Sequence, residues 1–162
     1  MSLSHILLLC LWLCWPGQAL LAGEVALAVR DLAVLVDPEG TETIASIAGG
    51  VPARFAPLPG GNLSAGYTRA VRWLRFTLEA PAGEVYLDIL PPFLDDLRLY
   101  VPDPDQPGVF SERWAGDLWP FAAREVPYRG FVFPLHQPDR QARPYYLRLA
   151  TTSSSILVPR LW

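Results

Sequence analysis

From Val71 onward, apolar and polar residues alternate in short runs that proline and glycine interrupt every ten residues or so, the pattern of half-buried strands joined by tight turns. The runs are 71–79, 84–90, 97–101, 110–114, 128–135, 145–151 and 156–161. In the first, Leu74, Phe76 and Leu78 share one face while Val71, Trp73, Arg75 and Thr77 share the other; in the second, Val85, Leu87 and Ile89 oppose Tyr86 and Asp88. One face is therefore expected in the core, and the other is expected to carry mixed aromatic and charged groups. Two stretches, 66–76 and 124–135, combine this pattern with arginine and read as strands that display guanidinium and aromatic groups. Such surfaces suit recognition more than catalysis. Upstream, 25–29 and 32–36 read as short strands, the second closed by the turn Asp37-Pro38-Glu39-Gly40. Thr41 is expected to cap one short helix with Ile44, Ile47 and Ala48 on a shared face and Gly49-Gly50 at its end. A proline- and glycine-rich loop follows at 57–62.

Composition narrows the class. Half the chain is hydrophobic (51%), and 12% is aromatic, so a core can form. The 17 prolines leave no room for long helices, and an all-β sandwich or barrel is the expectation. A net charge of -3 argues against nucleic acid and against polybasic membrane attachment. All 13 basic residues are arginine, a bias that genome composition explains better than any demand for bidentate donors.

Residues 1–23 resemble a secretory signal peptide: an apolar core over 6–15 breaks at Pro16-Gly17, and Gly17-Gln18-Ala19 offers a small-x-small cleavage site. No Lys or Arg precedes Arg30, so an uncleaved anchor is the alternative. Neither Cys10 nor Cys14 follows the small residues of a lipidation site. With both cysteines in the leader, the body, 24–162, has no disulfide, thiolate ligand or thiol nucleophile. This suits a bacterial periplasm.

Catalytic chemistry has little support. His136 is the one histidine after the leader and reads as a surface residue. Asp95 and Asp96 are adjacent on a strand start and so face opposite ways, a poor acid–base pair. The stretch 103–108 begins like a calcium loop but lacks the later oxygen ligands. No metal or cofactor is expected. A binding constellation is better supported: Trp114, Asp117, Trp119, Arg124, Tyr128 and Arg129 fall close together. Aromatic faces stack on sugar rings, while Asp and Arg bond hydroxyls or carboxylates, so a carbohydrate or small carboxylate is the expected ligand. In the competing reading the two tryptophans plug the end of the sandwich, and the arginines pair with Asp117 and Glu125.

Several linked patterns also resemble one family. They are Gly66-Tyr67-Thr68, Val71-Arg72-Trp73-Leu74-Arg75-Phe76, Leu94-Asp95-Asp96-Leu97-Arg98-Leu99-Tyr100-Val101, Gly116-Asp117 with Pro120-Phe121, Arg124, Arg129-Gly130-Phe131-Val132-Phe133-Pro134-Leu135 and Tyr146-Leu147-Arg148-Leu149. In order and spacing they are similar to the 7TMR-DISM extracellular domain family, type 2, the periplasmic sensor module of bacterial seven-transmembrane receptors. The resemblance implies a jelly-roll sandwich similar to carbohydrate-binding modules, followed by seven membrane helices and a cytosolic output such as a diguanylate cyclase or histidine kinase. The sequence stops at Trp162, where that pattern approaches the membrane; a fragment and a stand-alone periplasmic copy both fit. The expectation is a non-enzymatic ligand sensor. The alternative is an interaction module that contacts another receptor ectodomain or a second copy of itself.

Overall fold

The computed structural model describes residues 27–50 and 54–162; the expected leader and residues 25–26 lie outside them. Among the described residues ten strands form two antiparallel sheets. β1 (Ala28–Asp37), β2 (Ala56–Pro57), β4 (Val71–Glu79), β6 (Asp96–Pro102), β7 (Phe110–Ala115) and β9 (Tyr145–Ala150) build the larger, in the order β2-β1-β4-β9-β6-β7. The smaller is β3 (Leu63–Tyr67), β10 (Ser154–Leu161), β5 (Gly83–Leu90) and β8 (Phe131–Gln137), in the order β3-β10-β5-β8.

Strand alternation decides what lies between the sheets. Leu74, Phe76, Leu78, Leu97, Leu99, Leu147 and Leu149 of the larger sheet meet Val85, Leu87, Ile89, Phe133, Leu135 and Leu157 of the smaller in one buried cluster. Each fully buried side chain of this size contributes about 1.5–3 kcal/mol of apolar transfer free energy. Tyr145 stacks on Phe76 with centroids 5.7 Å apart and accepts a hydrogen bond on its hydroxyl from Gln137 at 2.6 Å, so its polar tip is satisfied inside the core. The outer face of the larger sheet was expected to be mixed and is partly apolar. Ala33, Leu35, Val71, Trp73, Tyr100 and Tyr146 form a second cluster there beneath Ile47 of α1 (Ile44–Ala48).

Four local expectations change. The two N-terminal strands are one strand, β1, whose ladder slips between Arg30 and Ala33 where Asp31 takes a positive φ of 54°. The helix is capped by Thr43 and not Thr41: Ser46 N–H donates to Thr43 Oγ1 at 3.3 Å, and Thr43 N–H donates to Ser46 Oγ at 3.0 Å. Thr41 instead donates its N–H to Asp37. The stretch 66–76 is not one strand, because Thr68-Arg69-Ala70 carries the chain from β3 in one sheet to β4 in the other. Lastly, β8 starts at Phe131, since residues 124–130 are committed to a side-chain brace described below.

Candidate functional site

Strand register lays one row of side chains across the outer face of the larger sheet. Leu35 pairs with Trp73, Trp73 with Arg148, Arg148 with Arg98, and Arg98 with Trp114. Two arginines thus stand directly opposite each other on neighbouring strands, an arrangement that repels unless compensated. Asp96 compensates it. Its Oδ2 accepts from Arg98 Nε and from Arg148 Nη1, both at 3.1 Å, and Oδ1 accepts from Trp119 Nε1 at 3.4 Å. Arg98 Nη1 also donates to Glu112 at 3.3 Å. The carboxylates of Asp96 and Glu112 hold the Arg98 guanidinium more firmly protonated than usual, against the opposing effect of burial.

The connection after β7 closes over one end of this row. Gly116 makes the approach possible, because at its φ of 129° a Cβ would sit 2.1 Å from the Asp95 carbonyl oxygen. From there Asp117 N–H donates to Leu94 O at 2.9 Å and Leu118 N–H to Asp95 O at 3.1 Å. Trp119 folds back on Trp114 with ring centroids 4.4 Å apart. Between this connection and the strands lies a cleft of about 410 Å³, lined by Arg69, Asp95, Asp96, Arg98, Leu118, Arg148 and Thr152 among others. Asp95 accepts from Thr152 N–H at 2.6 Å and from the Thr152 hydroxyl at 2.8 Å. The Thr152 N–H, more than any other contact, lowers the Asp95 pKa below the usual carboxylate range.

Further along, a 3-10 turn over Phe121–Ala123 leads to Arg124. Arg124 Nη1 donates to the carbonyls of Tyr128 and Arg129 at 2.8 Å and of Gly130 at 3.3 Å. Its guanidinium lies 5.0 Å from the ring centre of Phe121 and 4.8 Å from that of Phe131. Asp117 pairs with its Nη2 at 3.5 Å.

The six sequence-selected residues therefore divide. Trp114, Trp119 and Asp117 stand beside the cleft or in its closing loop, with both tryptophans exposed. Arg124 is a brace, and Tyr128 and Arg129 are exposed residues of the loop it holds. The pairings of the competing reading are present, Arg124 with Asp117 and Arg113 with Glu125 at 3.3 Å, yet the tryptophans remain at the surface. None of the six lines the cleft itself, and sequence reasoning missed Arg69, Arg98 and Arg148 as site residues. The signal was present in two identical triplets, Leu97-Arg98-Leu99 and Leu147-Arg148-Leu149, each presenting one outward arginine between core leucines.

Elsewhere, His136 is exposed and 2.9 Å from Glu84. Asp103 uses its carboxylate to cap its own turn, accepting from the N–H groups of Asp105 and Gln106. Among the described residues no group of three or more His, Cys, Asp or Glu could hold a metal ion, and no helix is long and apolar enough to cross a membrane. No curated protein matches the chain. The family model described as 7TMR-DISM extracellular 2 matches residues 30–162.

Proposed function

Because the chain belongs to the 7TMR-DISM extracellular 2 family, and so is an extracytoplasmic, non-enzymatic sensor domain, we propose that it binds a carbohydrate or a small carboxylate at the closing loop after β7. The observation that carries this reading is the exposed Trp114–Trp119 pair, tethered through Trp119 to Asp96 at the rim of an arginine-lined cleft. An indole held in place by a hydrogen bond has lost its rotamer entropy before a sugar ring arrives, which favours stacking. Trp114, Asp117 and Trp119 meet the ligand in this reading; Arg124, Tyr128 and Arg129 shape the loop that carries them.

Export follows from residues 1–23 acting as a signal peptide, with 24–162 as the periplasmic domain. The sandwich is a jelly roll in this reading, supported by successive strands that cross between sheets at β4, β5 and β6 and again at β7, β8, β9 and β10. Signalling would work by differential affinity: a ligand that contacts one arrangement of the domain better shifts the receptor population toward it.

A second reading has its own support. Leu118 is 73% exposed and Phe121 57%, on the same connection as Trp119 and Tyr128, and such apolar groups suit a second ectodomain or another copy of this chain. One experiment separates the two. On an array of neutral glycans and small acids, the full chain is expected to bind, and Trp119→Ala to lose about tenfold or more in affinity. Unchanged binding in Trp119→Ala and Trp114→Ala overturns the site. Self-association abolished by Leu118→Asp, with a blank array, selects the partner reading.

A further inference from the structure

The cleft under the closing loop holds more guanidinium donors than the protein uses. Arg98 commits Nε to Asp96 and one Nη1 hydrogen to Glu112, and Arg148 commits only Nη1. Each guanidinium carries five N–H groups, so most donors on this pair have no protein acceptor among the described residues. Arg69, on the crossover between β3 and β4, lines the same cleft and makes no ion pair among the described residues. Neither Arg98 nor Arg148 donates to a main-chain carbonyl.

The charge balance limits what can fill the gap. Arg69, Arg98 and Arg148 face the carboxylates of Asp95 and Asp96 within the cleft, and Glu112 pairs with Arg98 from beside it, so the fixed charges there balance. A single carboxylate adds the smallest anionic charge to that balance. A phosphate, near two negative charges at neutral pH, would add about twice that charge beside three carboxylates. The remaining lining suits a hydroxylated body: Thr152 and Asp95 for hydroxyls, and Leu118 as an apolar edge.

We propose that this cleft binds the carboxylate of a sugar acid, with Arg98, Arg148 and Arg69 as the carboxylate clamp and Thr152 and Asp95 reading its hydroxyls. The inference rests on the sensor reading above and narrows its ligand to a singly charged acid clamped by Arg69, Arg98 and Arg148, none of which belongs to the stretch from Trp114 to Arg129. Fork-shaped guanidinium groups bind planar carboxylates with two parallel hydrogen bonds, which sets such a ligand apart from a neutral sugar.

The test is calorimetric titration of the full chain with sodium D-glucuronate, D-glucose and inorganic phosphate. Glucuronate is expected to bind about tenfold or more tighter than glucose, and tighter than phosphate. Arg69→Gln removes an exposed side chain with no ion-pair partner, so the fold is expected to survive while glucuronate affinity falls about tenfold. Arg98→Gln is expected to do the same, with Arg98→Lys recovering only part of the loss. Equal affinity for glucose and glucuronate, tighter binding of phosphate, or full affinity in both glutamine variants overturns the proposal. Neutral-sugar binding that falls in Trp119→Ala but not in Arg69→Gln overturns the acid site and leaves the sensor reading standing. No binding of any sugar or acid overturns both.

Discussion

Arg124 sits in the irregular connection after β7 and gives its guanidinium to three main-chain carbonyls, whereas Arg98 and Arg148 sit on neighbouring strands and meet only carboxylates. The difference lies in the backbone around them. A loop leaves carbonyls without partners, and a nearby arginine is drawn in to satisfy them. The paired strands beneath Arg98 and Arg148 offer this pair none, so most of its donors have no protein acceptor among the described residues. The Arg124 side chain is 13% exposed, against 19% for Arg148 and 40% for Arg98. Among these three arginines the one in irregular main chain is spent on carbonyls and the two on paired strands are not; Arg113 of β7, which reaches the Pro134 carbonyl, and Arg69 on the β3–β4 crossover depart from that contrast.

The most direct way to break that contrast is Arg124→Ala. Three carbonyls would lose their donor, and the slot between Phe121 and Phe131 would lose its filling. At about 1 kcal/mol net per hydrogen bond, with some donors replaced by water, the expected loss is about 2–3 kcal/mol. The urea midpoint should fall at unchanged m-value. Arg124→Lys should not rescue it, since an ammonium lacks the planar fork. An unfolding midpoint equal to that of the parent chain would show that the loop needs no brace.

A smaller effect is expected from Asp96→Asn. The amide keeps an acceptor for Trp119 but removes the charge that holds Arg98 and Arg148 together across the β6–β9 ladder. The expected cost is about 1–2 kcal/mol, less than a fully buried pair because Arg98 reaches solvent. Removing one negative charge also leaves the cleft more positive by one charge, so affinity for sulfate should rise in this variant while the parent chain shows little. Unchanged stability together with unchanged sulfate binding would mean that Asp96 does not govern the arginine pair.

Much of the fold was legible because alternation is a local signal. The strand at Val71–Glu79 coincides with its predicted run, and β5, β6, β7, β9 and β10 lie within two residues of theirs. The family was legible too, since its patterns span nearly the whole body of the chain. What alternation cannot reveal is the sheet to which a run belongs. Residues 66–76 looked continuous because Thr68-Arg69-Ala70 has no breaker, yet the chain changes sheets there. β2 and β3 were hidden for a different reason: Ala56-Pro57 is two residues long, and Leu63-Ser64-Ala65-Gly66-Tyr67 is poor in β-branched residues. For the site, the Trp114–Trp119 contact was readable because it is local. The Arg98–Arg148 pair was not, since it arises from register between strands about fifty residues apart.

The same rule extends from arginine to acids and sharpens the contrast at its smallest expected effect. Asp95 lies in the irregular turn before β6, where an unpaired N–H from Thr152 reaches it, and that bond lowers its pKa below the usual range. Asp88 lies within β5, where the ladder has used the N–H groups; its Oδ1 is buried with no partner, and burial raises its pKa despite the attraction of Arg160 and Arg129. The signs are therefore opposite. A depressed pKa gives stability that is complete above the unfolded value of about 4 and is lost as pH falls through the folded value. A raised pKa gives stability that is complete below about 4 and is lost as pH rises through the folded value. Urea midpoints measured from pH 3 to pH 7 should thus show a weaker acid-side decline in Asp95→Asn than in the parent chain. Asp88→Asn should be more stable than the parent near neutral pH and indistinguishable from it at the acid end. If both variants shifted the profile in the same direction, the state of the neighbouring backbone would not be what decides how this domain holds its charges.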